Sequence, residues 1–193
     1  MLHDHTKQRI RSMKVAPIAA LVLAFAASTA FAEGIRWKPE TLTPGDYTSI
    51  DQRQGGLIHH VYRGKVGRSY AIESYRGPAP SGTPVFTTYM DKDGNQVRWV
   101  RQDGFEVTFR PHDCTRTLGR CQYTLTESTG KKATRLRITE ATRKGIKFTE
   151  YDSDGKRLFS GQVALDARGN AGSGSLDGTQ GKQRFRLVES VYQ

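Results

Sequence analysis

From Gly56 to Tyr192 the sequence repeats one device. Short runs rich in Val, Ile, Thr, Tyr and Phe alternate apolar and polar residues, and Gly or Asp-Gly breaks them about every ten residues. That pattern builds antiparallel hairpins. It predicts strands near Leu57–Arg63, Arg68–Tyr75, Val85–Met90, Gln96–Arg101 and Phe105–Arg110. Further strands are expected near Gln122–Glu127, Thr134–Ala141, Ile146–Tyr151, Leu158–Leu165 and Gln183–Tyr192, with a weaker one through Gly172–Leu176. Asp93-Gly94, Asp103-Gly104 and Asp154-Gly155 have the chemistry of tight turns. No sustained helical period follows Glu33.

Side chains along a strand point alternately to its two faces. Phe105, Val107 and Phe109 therefore share a face opposite Glu106, Thr108 and Arg110. Phe159, Gly161, Val163 and Leu165 form another apolar row, and Phe185 and Leu187 oppose Arg184 and Arg186. By the same logic Leu136 and Ile138 are expected to be dry, and Arg135 and Arg137 wet. A sheet with one dry face must curl until its dry faces meet. The expectation is an all-β fold: a single antiparallel meander of about ten strands, closed as an up-and-down barrel, with a two-sheet sandwich as the alternative.

The N-terminus reads as a separate module. Lys7, Arg9, Arg11 and Lys14 precede the apolar run Val15–Ala27, and Ala30-Phe31-Ala32 supplies small residues before a cut. Residues 1–32 are thus expected to be a secretory signal peptide, with Met13 an alternative start. The apolar run is short for a bilayer span, which takes about 20 residues. Residues 33–55 read as an irregular lead-in, with one short strand near Tyr47, and 56–193 as the β domain. Export places the protein in the periplasm or outside the cell. There the only two cysteines, Cys114 and Cys121, are expected to pair. Their short loop limits the disulfide to about 2–3 kcal/mol. No second apolar run in the mature part is long enough to span a membrane.

The exported part carries 26 Lys and Arg against 18 Asp and Glu, a net charge of +8. Arg98, Arg110, Arg135, Arg137, Arg184 and Arg186 are expected on wet strand faces, and Arg116 and Arg120 in the cysteine loop. Together they make a candidate surface for an anionic partner such as an acidic glycan or a lipid head group. The plainer reading is a solvated basic surface. Export argues against genomic nucleic acid.

Motifs for chemistry are sparse. His112 and Asp113 are weak candidates for general acid and base. His59 and His60 are neighbours on a strand and face opposite sides, which does not suit a shared metal ion. The acidic stretches Asp91–Asn95 and Asp152–Gly155 begin like calcium loops but lack the remaining ligands, and turns account for them. Ser128–Lys131 and Ser153–Lys156 match Ser-x-x-Lys, but both fall on turns. No metal or cofactor is expected. The favoured function is a non-enzymatic envelope binding or assembly module. It would engage an anionic or amphiphilic partner through a basic outer face or an apolar barrel interior. The alternative is a hydrolase or transferase acting on an envelope polymer through His112 and Asp113.

Overall fold

The computed structural model describes residues 37–52, 55–179 and 181–193. The expected signal peptide lies outside the described residues. The described residues form twelve antiparallel strands: β1 (Tyr47–Gln52), β2 (Gly56–Val66), β3 (Ser69–Arg76), β4 (Phe86–Met90), β5 (Gln96–Arg101) and β6 (Glu106–Arg110), then β7 (Gly119–Glu127), β8 (Lys132–Thr142), β9 (Gly145–Tyr151), β10 (Arg157–Leu165), β11 (Ala171–Gly178) and β12 (Gly181–Val191). Each strand pairs with its neighbour in sequence, and β1 pairs with β12, so the meander closes as a barrel.

The closure uses a strand from the lead-in. Tyr47 lies opposite Val61 on one side and Val191 on the other. The weak segment after Gly172 is a full strand, β11. It reads poorly because it is built of glycine and serine, which carry little strand propensity. Its glycines have a packing reason. A Cβ on Gly174 would lie 2.2 Å from the Gln162 carbonyl oxygen and 2.6 Å from Cζ of Phe185. The Phe185 ring fills the space that a side chain on its cross-strand partner would take. Gly174→Ala is therefore expected to destabilise the protein by about 1–3 kcal/mol. Urea unfolding should show this as a lowered midpoint at unchanged slope, while Ser175→Ala, on the other face, stays near neutral.

The inner face carries the apolar rows. Ile146 and Phe148 are buried and pack with Phe159, Val163, Leu165 and Leu176. The outer face is polar: β12 presents Lys182, Arg184 and Arg186, all exposed, and β8 presents Lys132 and Glu140. No helix among the described residues is long and apolar enough to cross a membrane.

Asp91, Asp152 and Asp166 build the same turn. In each, Oδ1 accepts backbone N–H groups two and four residues on, at 2.8 to 3.0 Å. The calcium-like stretches are thus turns whose carboxylates are engaged by their own backbone.

One end of the barrel is closed. The lead-in lays Trp37, 1% exposed, across it, edge-on to Tyr62 and Tyr70. Trp37 Nε1 donates to Asn170 Oδ1 at 2.9 Å. Gly94 makes room: it has φ +83°, and a Cβ there would sit 2.5 Å from the Trp37 Cβ. The short 3-10 helix His112–Thr115 completes the seal, with Cys114 buried and joined to Cys121. The peptide bond before it, Arg110–Pro111, is cis.

Candidate functional site

A barrel of eight strands can be filled by its own side chains, and larger ones enclose space. Twelve strands leave a lumen. It holds two chambers, one mainly against β1–β4 and one against β5–β11.

The first chamber, about 240 Å³, lies under the Trp37 seal and is lined by Leu42, Thr48, His60, Ile72, Phe86 and Met90, among others. His60 shares a 2.8 Å hydrogen bond with Ser74 Oγ. Burial, followed by the neighbouring His59, pulls the pKa of His60 down to about 4. It is therefore a neutral polar group in an apolar wall. His59 faces outward and bonds Ser49 Oγ at 2.8 Å and the Gly77 carbonyl at 2.9 Å.

The second chamber, about 620 Å³, runs much of the barrel's length. Near the closed end its walls are mixed, with Gln96, Pro111, His112, Cys114 and Thr115. Near the other end they are apolar, with Leu125, Leu158, Phe159 and Leu176. Between them sits a charged cluster. Arg137 Nη1 donates to Glu150 Oε1 at 2.8 Å, and Arg137 Nε to Thr139 Oγ1 at 3.2 Å. The Tyr123 hydroxyl donates to Glu150 Oε2 at 2.8 Å. The guanidinium lies over the Phe148 ring, 3.8 Å from its centroid. Burial, then Glu150, pushes the Tyr123 hydroxyl well above the usual tyrosine range. It stays protonated and holds the carboxylate. Arg135 lines the same chamber, and its one hydrogen bond among the described residues runs from Nη1 to the Thr134 carbonyl, at 3.2 Å.

These placements correct the expected face of β8. Arg135 and Arg137 point into the lumen, and Leu136 and Ile138 lie half-buried on the outside. Register decides this. Arg137 pairs with Cys121 on one side and Glu150 on the other, and Thr139 with Phe148. All belong to the inward rows of β7 and β9, so Arg137 must follow them. Glu150 makes the inward arginine tolerable, because a buried charge needs a partner.

The other expected binding residues scatter. Arg98 is outside, over the Tyr89 ring at 4.0 Å and 3.5 Å from Glu106. Arg110, Arg120 and Arg186 are exposed on outer strand faces. Arg184 is exposed at the rim. Arg116 sits in the closed end: its amide donates to Asn95 Oδ1 at 2.8 Å and its Nη2 to the Gly169 carbonyl at 3.0 Å. Burial and then the charge of Arg137 lower its pKa to about 10, which leaves it protonated at neutral pH. These arginines do not converge on one outer patch. Tyr62 and Trp99 face inward, where Tyr62 lines the first chamber and Trp99 packs on Phe86 and Phe105. The His112 Nδ1 is buried without a hydrogen-bond partner among the described residues, and Asp113 is exposed. Asp113 comes close to Cys114 and Cys121, but both sulfurs are committed to the disulfide.

Two features of the site were missed from sequence. Glu150 and Tyr123 are single residues on ordinary strands, with no local motif to mark them. The opening was also invisible. At the end away from the seal a third cavity, about 640 Å³, is lined by Arg76, Lys182, Arg184 and Phe185 and shares Leu176 with the long chamber. The mouth of the barrel at that end is thus basic. Comparison with protein-family models, with curated proteins and with solved structures found no match.

Proposed function

We propose that this is an exported envelope protein that holds a small amphiphilic molecule in its barrel and performs no chemistry on it. One observation carries the reading: the long chamber of about 620 Å³ combines an apolar wall with a few fixed polar groups. Ligand sites are built this way, with volumes of roughly 300–1,000 Å³. The polar, charged exterior supports a role in water, and the disulfide suits an oxidising compartment.

The enzyme reading needs a nucleophile or a general base in contact with its partner. No described carboxylate or hydroxyl lies within hydrogen-bond distance of His112 Nδ1.

The test is to express the full chain, purify the protein from the envelope fraction, extract it with solvent and identify small molecules by mass spectrometry. A single-chain amphiphile at near one per barrel is expected. The neutral dye N-phenyl-1-naphthylamine should brighten on binding and be displaced by that molecule. Leu125→Trp, which fills the apolar wall, should lose both signals while keeping the β-sheet circular dichroism of the parent. An empty protein that leaves the dye dark would end this reading.

A further inference from the structure

We infer that the bound molecule is a single alkyl chain ending in an anion, a carboxylate or a phosphate monoester, and that it lies head inward on Arg135 and Arg137. The inference rests on the proposed function and specifies its ligand.

Charge in the chamber points to the head group. Arg135 and Arg137 face one carboxylate there, that of Glu150. Glu150 is fully engaged: Arg137 holds one oxygen and the Tyr123 hydroxyl the other. Arg135 has no carboxylate within ion-pair distance among the described residues. A cation in a largely apolar chamber is costly without a counter-charge. An anionic head supplies one, and a guanidinium fork suits the two oxygens of a carboxylate or phosphate.

The lining also gives the orientation. Leu125, Leu158, Phe159 and Leu176 line the same chamber, and Leu176 also lines the basic cavity at the end away from the seal. This stretch suits an alkyl chain. A head entering at that end meets Arg76, Lys182 and Arg184, and the lining of this mouth includes no acidic side chain among the described residues. Such a mouth raises the encounter rate of an anion. Its lysine and arginine are solvent-exposed, so they contribute less to final affinity than the inner pair.

The experiment measures displacement of N-phenyl-1-naphthylamine by palmitate, dodecyl phosphate and hexadecanol. Three proteins are compared: the parent, Arg135→Gln, and Lys182→Gln with Arg184→Gln. Arg135 is chosen because its removal strands no buried acid. Lysophosphatidate vesicles serve as a further competitor, to distinguish a lipid source of the head group from a free acid. Palmitate or the phosphate should bind about 10- to 100-fold tighter than hexadecanol, the range for hydrogen bonds to charged groups. Arg135→Gln should remove most of that preference and leave hexadecanol unchanged. The mouth variant should slow association and flatten its salt dependence, with affinity nearly retained.

Equal binding of acid and alcohol, unaffected by Arg135→Gln, would overturn the inference while leaving amphiphile binding in place. Loss of affinity in the mouth variant alone would also overturn it, by placing the head at the rim. Failure of the dye to bind the parent would remove the proposed function itself.

Discussion

Glu150→Ala is expected to destabilise the protein by about 3 kcal/mol. The substitution leaves Arg137 in the lumen wall with its charge unmatched, its side chain only 9% exposed and stacked on Phe148. It also strands the Tyr123 hydroxyl, whose acceptor is lost. Removing one member of a buried pair costs about 3–5 kcal/mol. The lower end applies here, because the chamber beside the guanidinium admits water. Urea unfolding followed by tryptophan fluorescence reads the effect. The double variant Arg137→Met, Glu150→Leu should recover most of the loss, since replacing both charges by apolar groups of similar size is often neutral. A loss in the double variant as large as in the single one would show that the pair is not the cause.

The second large effect is set by pH. His60 is held neutral, with a pKa near 4 against 6.5 for the unfolded chain. The unfolded chain therefore binds a proton between these values that the folded barrel refuses. Stability contributed by the neutral ring is complete above pH 6.5 and is lost as pH falls toward 4, by up to about 3 kcal/mol in all. Carboxylates add their own losses at lower pH. Glu73, bonded by Tyr75 and Arg63, has a pKa below its usual 4.5 despite the opposing pull of burial, so its contribution fades below that pH. The His60 loss falls largely in the interval from pH 6.5 to 4.5. Unfolding free energies measured across it should fall steeply for the parent and weakly for His60→Gln. Equal slopes would assign the loss to another group.

Much of the fold was legible because strands write their own period. The run Phe105, Val107, Phe109 marks a strand and sorts its side chains into two sets without reference to any neighbour. The run Phe159, Gly161, Val163, Leu165 does the same. The closing strand β1 and the glycine-serine strand β11 were fainter. One is short and lies among prolines and glycines, and the other lacks the β-branched and aromatic residues that mark a strand.

The candidate site was hardly legible. Alternation divides the residues of β8 into two sets but does not say which set faces inward. Hydropathy favours Leu136 and Ile138, and the structure turns Arg135 and Arg137 inward instead. Arg137 and Glu150 are 13 residues apart, and Tyr123 is 27 residues from Glu150. Only the shared register of β7, β8 and β9 makes them neighbours.

By itself the sequence determined a ladder of antiparallel strands, their turns and the cysteine pair, because these follow from local periodicity, turn chemistry and short loop closure. The tertiary structure alone decided that twelve strands close into a wall too wide to fill. It also decided that one end is sealed by Trp37 and that a matched arginine and glutamate lie in the lumen. Strand number and register set those outcomes, and both are properties of the whole closed sheet.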